Sequence, residues 1–324
     1  MRIVFFGTPE FAVPALDAVA GRFEVPLVVV QPDRPKGRGR ALAAPPVKQR
    51  ALELVIPCFQ VESPNTPNAL SALAAVQADL FVVVAYGAIL SKALLAVPRL
   101  GCINLHASLL PRYRGASPIQ AALLDGLSET GASTMWMDER LDTGDVIHQR
   151  ALAIGPDETA GELSERLAAD GARLLVETLD AVALAGSRAP RMPQDDARAT
   201  VTKKIRKADG FLDFGQAATT LHDRARAMTP WPGATALFAG EPVRFTRTRV
   251  VPAAAAIARA APGTILGPGP SGGLVVECAT GALEILRVTP AGKPEMEAQA
   301  WWRGLRIDVA SAPRFTTPRS EEES

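Results

Sequence analysis

The chain has 324 residues, of which 48% are hydrophobic and 21% charged, and its formal net charge is +1. That length fits two domains of roughly 100–200 residues each, and the composition is that of an ordinary globular protein. A near-neutral total excludes a protein that holds a polyanion by bulk charge, so any nucleic-acid contact has to come from local clusters.

The opening Met1-Arg2-Ile3-Val4-Phe5-Phe6-Gly7 is too short and too quickly interrupted to serve as a signal peptide. No apolar run reaches the roughly 18 residues that a membrane helix needs. Cys58, Cys102 and Cys278 are far apart and odd in number, which argues against a disulfide framework and a metal-ligand spacing alike. The expectation is a cytoplasmic protein with no membrane partner and no metal.

Residues 2–6, 25–30, 80–85 and 102–105 are short runs rich in Val, Ile, Leu and Phe, bounded by turn residues, and read as buried strands. Between the first two, residues 11–19 carry a helical pattern, with Thr8 as N-cap and Pro9 at the first helical position. Strand, helix and strand in repetition predict a parallel sheet covered by helices on both faces. In such sheets the ligand crevice lies outside the carboxyl ends of the strands, which directs attention to the loops after Phe6, Ala85 and Leu105.

Strands are predicted over residues 133–137 and 146–149, followed by a long amphipathic helix over residues 161–185 with Leu163, Leu167, Leu174, Leu175 and Leu179 near helical spacing. Residues 186–202, with Pro190, Pro193, Gln194 and two adjacent aspartates, have the composition of a linker. After a further helix over residues 216–228 the pattern changes to hairpins. Gly240-Glu241 and Thr280-Gly281 each separate two β-rich runs. A run of hairpins after a helical connector predicts a small β-barrel as second domain, and residues 313–324, ending in three glutamates and a serine, read as a disordered tail.

Chemically capable side chains are densest at Asn104-Leu105-His106-Ala107-Ser108-Leu109-Leu110-Pro111. Residues i and i+2 of an extended chain point to the same side, so Asn104 and His106 converge at the end of a predicted strand. An amide donor and an imidazole on one spot suit acyl transfer, where a carbonyl oxygen gains negative charge as a nucleophile adds and a leaving nitrogen needs a proton. The plainer reading is that both merely finish a strand. Leu141-Asp142-Thr143-Gly144-Asp145 is open in the same way. It either builds a turn between two strands or brings a carboxylate across the crevice to orient His106 and accept a proton.

Asn-x-His-x-Ser-Leu-Leu-Pro at 104–111, then Arg114-Gly115, then Leu-Asp-Thr-Gly-Asp at 141–145 resemble the folate-dependent formyltransferases in order and spacing. Gly7-Thr8-Pro9-Glu10-Phe11, Gln31-Pro32-Asp33-Arg34, Gly37-Arg38-Gly39-Arg40, Val83-Val84-Ala85-Tyr86-Gly87, Trp231-Pro232 and Pro290-Ala291-Gly292-Lys293 are similar to the methionyl-tRNA branch of that family. The likeness runs from Met1 to about Lys293. Beyond it Trp301-Trp302-Arg303-Gly304 and the acidic tail depart from the familiar closing segment.

The resemblance implies an α/β fold: a Rossmann-like parallel-sheet formyltransferase domain over residues 1–186, a linker over 187–205, an OB-like β-barrel that binds tRNA over 206–312, and the tail over 313–324. It implies Asn104, His106 and Asp142 as catalytic residues. Ser108, Leu109, Leu110 and Pro111 would line the folate pocket, with Ala85, Tyr86 and Gly87 nearby. The formyl donor would be 10-formyltetrahydrofolate as co-substrate, the acceptor the α-amine of initiator methionyl-tRNA, for translation initiation, by a monomer.

Residues 32–50 contain Arg34, Lys36, Arg38, Arg40, Lys48 and Arg50 against the single acid Asp33. Gly37-x-Gly39 does not bridge a strand to a helix as a dinucleotide fingerprint must. The segment is either a solvated basic loop or a grip on the phosphates of a tRNA acceptor end, and the resemblance implies the second, through Arg34, Lys36, Arg38 and Arg40. Lys203, Lys204, Arg206 and Lys207 form a second basic cluster where linker meets barrel, and from Arg206 to Arg319 there are 14 Lys and Arg against 9 Asp and Glu. Small barrels with a basic face often bind nucleic acid. Two rival readings stand beside this one. Formyl transfer to a small-molecule amine, such as a ribonucleotide or an amino-sugar nucleotide, needs neither the basic loop nor the barrel. An RNA-binding protein without chemistry leaves the Asn104/His106 pairing unexplained.

Overall fold

The computed structural model describes residues 1–36, 41–188, 191–251 and 260–318, and the chain divides into two compact units. The first comprises Met1–Pro118, Glu129–Ala153 and Ser164–Thr202. It opens with β1 (Arg2–Gly7), a short 3-10 turn at Glu10–Ala12 and α1 (Val13–Ala20), then β2 (Glu24–Val30). A small ribbon of β3 (Arg34–Lys36) and β4 (Ala41–Ala43) precedes α2 (Pro46–Glu53), β5 (Cys58–Gln60), α3 (Pro67–Ala75) and β6 (Leu80–Val84). Then come, in chain order, α4 (Lys92–Leu95), β7 (Cys102–His106), β8 (Arg114–Gly115), α5 (Pro118–Leu124, which belongs to the second unit from Ile119), β9 (Glu129–Trp136), β10 (Val146–Ala153), α6 (Ala160–Ala185, in the first unit from Ser164) and β11 (Val201–Thr202).

The main sheet has the order β10-β9-β7-β6-β1-β2-β5. Pairings from β5 through β7 are parallel, whereas β9 runs antiparallel to β7 and β10 antiparallel to β9. The alternation of side chains along a strand divides the core in two. Ile3 and Phe5 of β1 pack with Val28, Val82, Ile103 and Leu105 in one layer, while Val4 and Phe6 pack with Val29, Phe81, Val83 and Tyr86 in the other. Because both faces are covered, these strands read as continuous apolar runs. The strand order reverses between β1 and β6, so the crevice expected at a topological switch point lies at the ends of β1, β6 and β7.

Three expectations need correction in this unit. The 3-10 turn at Glu10–Ala12 has Pro9 at its N-cap position with no side-chain cap, and Thr8 donates its hydroxyl to the carbonyl of Tyr86 at 2.9 Å. Thr8 thus ties the β1 loop to the β6 loop and caps no helix. The linker is not a free connector, because β11 pairs in parallel with β8, Val201 opposite Arg114 and Thr202 opposite Gly115. Two of the basic-loop cations are neutralised: Lys48 binds Asp33 at 2.9 Å, and Arg50 binds Asp17 at 2.6 Å and Glu53 at 2.7 Å.

The second unit comprises Ile119–Ser128, Ile154–Leu163 and Lys203–Ser324. Its elements are α7 (Ala218–Ala227), β12 (Ala234–Phe238), β13 (Glu241–Val250), β14 (Ile265–Pro268), β15 (Leu274–Glu277), β16 (Ala282–Pro290), β17 (Met296–Glu297), α8 (Ala298–Leu305) and β18 (Phe315–Thr316). The strands form an antiparallel half-barrel in the order β14-β15-β16-β13-β12-β18, with β17 on β16, in keeping with an OB-like domain. The β12–β13 hairpin turns at Ala239 and Gly240, both at positive φ, the geometry of a tight hairpin turn whose twist matches the flanking strands.

The tail also departs from expectation. Phe315 is 1% exposed, pairs with Phe238 in the strand ladder, and stacks on Trp301 and Phe214 at centroid distances of 6.0 and 5.9 Å. Residues 313–316 are therefore part of the fold, and residues 319–324 lie outside the described residues. Trp301 and Trp302, the point where the familiar pattern was lost, are both buried on α8.

Candidate active site

Asn104 and His106 occupy alternate positions on β7, and the structure brings them to one face with Asp142. The register of β7 with β9 pairs Ile103 with Trp136 and Asn104 with Met135. The chain leaving β9 therefore has to fold back along β7 for residue 142 to reach both side chains. It does so through the loop between β9 and β10, in which Asp142 has a φ of +54°. An L residue with a Cβ adopts that left-handed conformation at a cost of about 1–2 kcal/mol, and Asp and Asn are among the few that do so routinely. Gly144, two residues on, is demanded by space, because a Cβ there would run into the carbonyl oxygen of Trp136.

Asp142 is 8% exposed. Its Oδ1 accepts from Asn104 Nδ2 at 3.3 Å and its Oδ2 from the backbone N–H of Gly115 at 2.8 Å. His106, also buried, has Nδ1 at 3.6 Å from Asp142 Oδ2. Its Nε2 lies 2.9 Å from the carbonyl oxygen of Tyr113. A carbonyl only accepts, so Nε2 carries the proton in that bond. In the neutral ring the lone pair is then on Nδ1, the nitrogen facing the carboxylate. Tyr113 presents this carbonyl from a left-handed backbone of its own, at φ +58°, while its N–H donates to Thr200 Oγ1 at 2.7 Å.

The segment Ser108–Pro111 is held from beneath. Ser108 is fully buried, its hydroxyl donating to the carbonyl of Arg112 and its own carbonyl accepting from Ser133 Oγ at 2.6 Å. Ser133 Oγ in turn accepts from Leu110 N–H, and Gln149 donates to the Leu110 carbonyl at 2.8 Å. Leu110 is buried with Met135 and Val146, and Leu109 and Pro111 are partly exposed. Across the switch point, Ala85 and Gly87 are exposed at positive φ, +47° and +88°. The Tyr86 ring packs edge-on against Phe6 at 5.3 Å, and burial pushes its phenol up to about 12. The Tyr86 ring is thus turned into the protein, while Ala85 and Gly87 are exposed.

Burial holds the Cys102 and Cys278 thiols up near 12 and raises that of Cys58 as well. Sequence reasoning missed Tyr113, Gly115, Arg114 and Gln194. The first two act through backbone groups that leave no trace in residue type. Arg114 and Gly115 were visible only as part of a motif, and Gln194 was hidden in apparent linker composition.

Of the cations assigned to nucleic acid, Arg34 is exposed, and Lys203, Lys204, Arg206 and Lys207 are all exposed at the start of the second unit. Arg38 and Arg40 lie outside the described residues, and Lys36 ends β3. Among the described residues no helix is long and apolar enough to cross a membrane.

Comparison with known proteins places these features in a wider set. Residues 1–179 match the family model described as formyl transferase, and residues 204–306 match that of the formyl transferase C-terminal domain. The latter span includes Trp301, Trp302, Arg303 and Gly304, so these residues lie within the family's C-terminal domain, and the acidic tail lies beyond the match. The chain is 46% identical over 305 residues to the methionyl-tRNA formyltransferase of Moorella thermoacetica, covering 94% of this chain and 96% of that one. It is 46% identical over 300 residues to the enzyme of the same name from Methylococcus capsulatus, covering 92% and 95%. Among solved structures, WlaRD, a sugar 3N-formyl transferase crystallised with dTDP and 5-N-formyl-THF, aligns with a TM-score of 0.62 at 15% identity over 91% of this chain and 99% of that one. HypX from Aquifex aeolicus in complex with tetrahydrofolic acid aligns with a TM-score of 0.61 at 14% identity, over 93% and 46%. At such identities the likeness to these two is one of fold.

Proposed function

The chain belongs to the formyltransferase family, in its methionyl-tRNA branch, and from that premise we propose that it moves the formyl group of 10-formyltetrahydrofolate onto the α-amine of initiator methionyl-tRNA. The observation that carries the reading is the convergence of Asn104, His106 and Asp142 at one strand face, in a chain 46% identical to a methionyl-tRNA formyltransferase.

The donor supplies a formyl carbon bound to a nitrogen that leaves as an amine. As the acceptor amine adds, a C–N bond forms, the carbonyl oxygen gains negative charge, and the Asn104 amide N–H is placed to donate to it. Asp142 beside it accepts the proton that the attacking amine must lose. His106 holds its Nε2–H on Tyr113, so its Nδ1 takes that proton from Asp142, whose carboxylate, charged again, stabilises the imidazolium. The proton then passes to the leaving nitrogen as the old C–N bond breaks, which leaves the enzyme in its starting state. The backbone of Ala85, Tyr86 and Gly87 and the Ser108, Leu109, Leu110 and Pro111 segment form the pocket in which the donor lies. Because the Ser108 hydroxyl and the Tyr86 ring are both committed inside the protein, they shape that pocket and leave recognition to backbone groups and to Leu109 and Pro111.

On this reading residues 1–186 are the catalytic domain and residues 206–312 the tRNA-binding domain, joined through 187–205. Arg34, Lys36, Arg38 and Arg40 grip the acceptor end, and Lys203, Lys204, Arg206 and Lys207 hold the body of the tRNA. The protein works in the cytoplasm as a monomer. Radiolabelled formyl transfer from 10-formyltetrahydrofolate to methionyl-tRNA, beside amino-sugar nucleotides and ribonucleotide amines, tests it. Formyl-methionyl-tRNA is expected as the product, and label appearing only on a small amine would overturn the reading.

A further inference from the structure

We propose that Gln194 and Arg114 are positioning residues for the formyl-transfer step, Gln194 holding the Asp142 loop in its working shape and Arg114 orienting Gln194. The proposal rests on the functional reading above. Gln194 Nε2 lies 2.9 Å from the carbonyl oxygen of Asp142 and 2.7 Å from that of Gly144. One amide nitrogen with two N–H donors thus bridges two carbonyls of the loop, on either side of Thr143. On the other side, Gln194 Oε1 accepts from Arg114 Nε at 3.0 Å and from its terminal nitrogen at 2.9 Å.

The chemistry of the partners leaves the amide one orientation. Arginine only donates and a carbonyl only accepts, so turning the amide over would break all four hydrogen bonds. Arg114 is itself 6% exposed, and its remaining charge is met by Asp196 at 2.8 Å, whose carboxyl it holds below the usual range.

The two halves of Asp142 are therefore held by neighbouring residues of one short strand. Its carboxylate is held by the N–H of Gly115, and its main-chain carbonyl by Arg114 acting through Gln194. That arrangement fixes where the carboxylate sits relative to His106 Nδ1. A left-handed backbone at Asp142, with its neighbour Gly144 packed on Trp136, gives the loop a reason to relax elsewhere once the bridge is gone. A displacement of about 1 Å in a reacting group is enough to slow a step about 100-fold.

The test compares wild type with Gln194→Glu, Gln194→Ala and Arg114→Lys in the full chain. It measures kcat and KM for methionyl-tRNA, folate Kd and the melting temperature. Gln194→Glu keeps the volume and the Arg114 partner but replaces both donors with an acceptor facing two carbonyls. Its kcat should fall about 100-fold, with folate Kd and KM little changed, and the melting temperature should drop as well because two carbonyls lose their donors. Gln194→Ala should behave alike, and Arg114→Lys should show a smaller fall in the same direction.

In an Asp142→Asn background, adding Gln194→Ala should cost little further turnover, because the group it positions is already disabled. Wild-type kcat in Gln194→Glu would overturn the proposal. So would a full multiplicative loss on top of Asp142→Asn, or a kcat loss matched by weaker folate binding, which would mark a merely structural stitch. The wild-type assay on methionyl-tRNA tests the functional reading separately. If wild type formylates a different amine, the same comparison is made on that amine.

Discussion

The two ring nitrogens of His106 are given different tasks by their neighbours. One is pinned to the Tyr113 carbonyl at 2.9 Å and the other is left toward Asp142 at 3.6 Å. His106→Ala should therefore lower turnover by about 100-fold or more, the range for a missing proton-transfer group or oxyanion donor, with folate affinity preserved and some loss of thermal stability because the Tyr113 carbonyl loses its donor. Retention of a large part of the wild-type turnover would remove His106 from the chemistry. Asp142→Asn is a cleaner probe than Asp142→Ala, because Asn tolerates the left-handed backbone and still accepts from Gly115. Single-turnover formyl transfer should slow about 100-fold or more with folate affinity preserved. A variant that loses only stability would mean that the carboxylate merely builds a turn.

At the scale of an element, α6 begins with a capping box. Thr159 Oγ1 accepts from Glu162 N–H at 3.3 Å, and Glu162 Oε2 accepts from Thr159 N–H at 2.9 Å. Removing the cap with Thr159→Ala should cost about 1 kcal/mol, read from urea midpoints. The Arg247 guanidinium on Glu162, helped by Thr159, holds the Glu162 carboxyl down at about 2, against an ordinary value of 4.5. A carboxyl whose folded pKa is depressed stabilises the fold above its unfolded pKa and loses that contribution as pH falls through the folded value. The Glu162 contribution is thus whole above about pH 4.5 and fades toward about pH 2. In Glu162→Gln the difference from wild type should be largest near neutrality and shrink across that window, and a pH-independent difference would show that the ion pair does not carry it. Half exposure of the pair keeps its energy small. Deeper in the same unit, Phe315→Ala should destabilise by about 3–5 kcal/mol, because the ring is enclosed by Phe214, Phe245 and Trp301.

For the molecule as a whole, a net charge of +1 places the burden of tRNA binding on local clusters. Lys203, Lys204, Arg206 and Lys207 are all exposed within five consecutive positions. Changing the four to Ser should weaken tRNA binding and reduce the log–log salt slope by about 0.7–0.9 for each phosphate that is no longer neutralised. Folate binding should be unaffected on the proposed placement of the pocket at Ser108–Pro111. An unchanged slope across a salt series would take this cluster out of the tRNA interface.

Strands β1, β2, β6 and β7 were legible because a parallel strand buried on both faces needs an unbroken apolar run, and a run is a local property. The convergence of Asn104 and His106 was legible for a similar reason, since two-residue spacing alone sends both to one side of a strand. The place of Asp142 was not, because the register of β9 on β7 sends its loop away from His106 before the chain folds back. Gln194 was read as linker because its partners, the Asp142 and Gly144 carbonyls, are 52 and 50 residues distant. A main-chain acceptor leaves no mark on residue type at either end. Phe315 was read as tail for a like reason: the proline before it and the acidic residues after it are local signals of disorder, and the ring of aromatics that buries it is assembled from α8, β12, β13 and the segment before α7 that carries Phe214. Period, composition and motif order are short-range and survive in the chain as text. Hydrogen bonds to backbone carbonyls and burial among distant side chains exist only after the chain has closed on itself, and at this site they hold the carboxylate beside the imidazole.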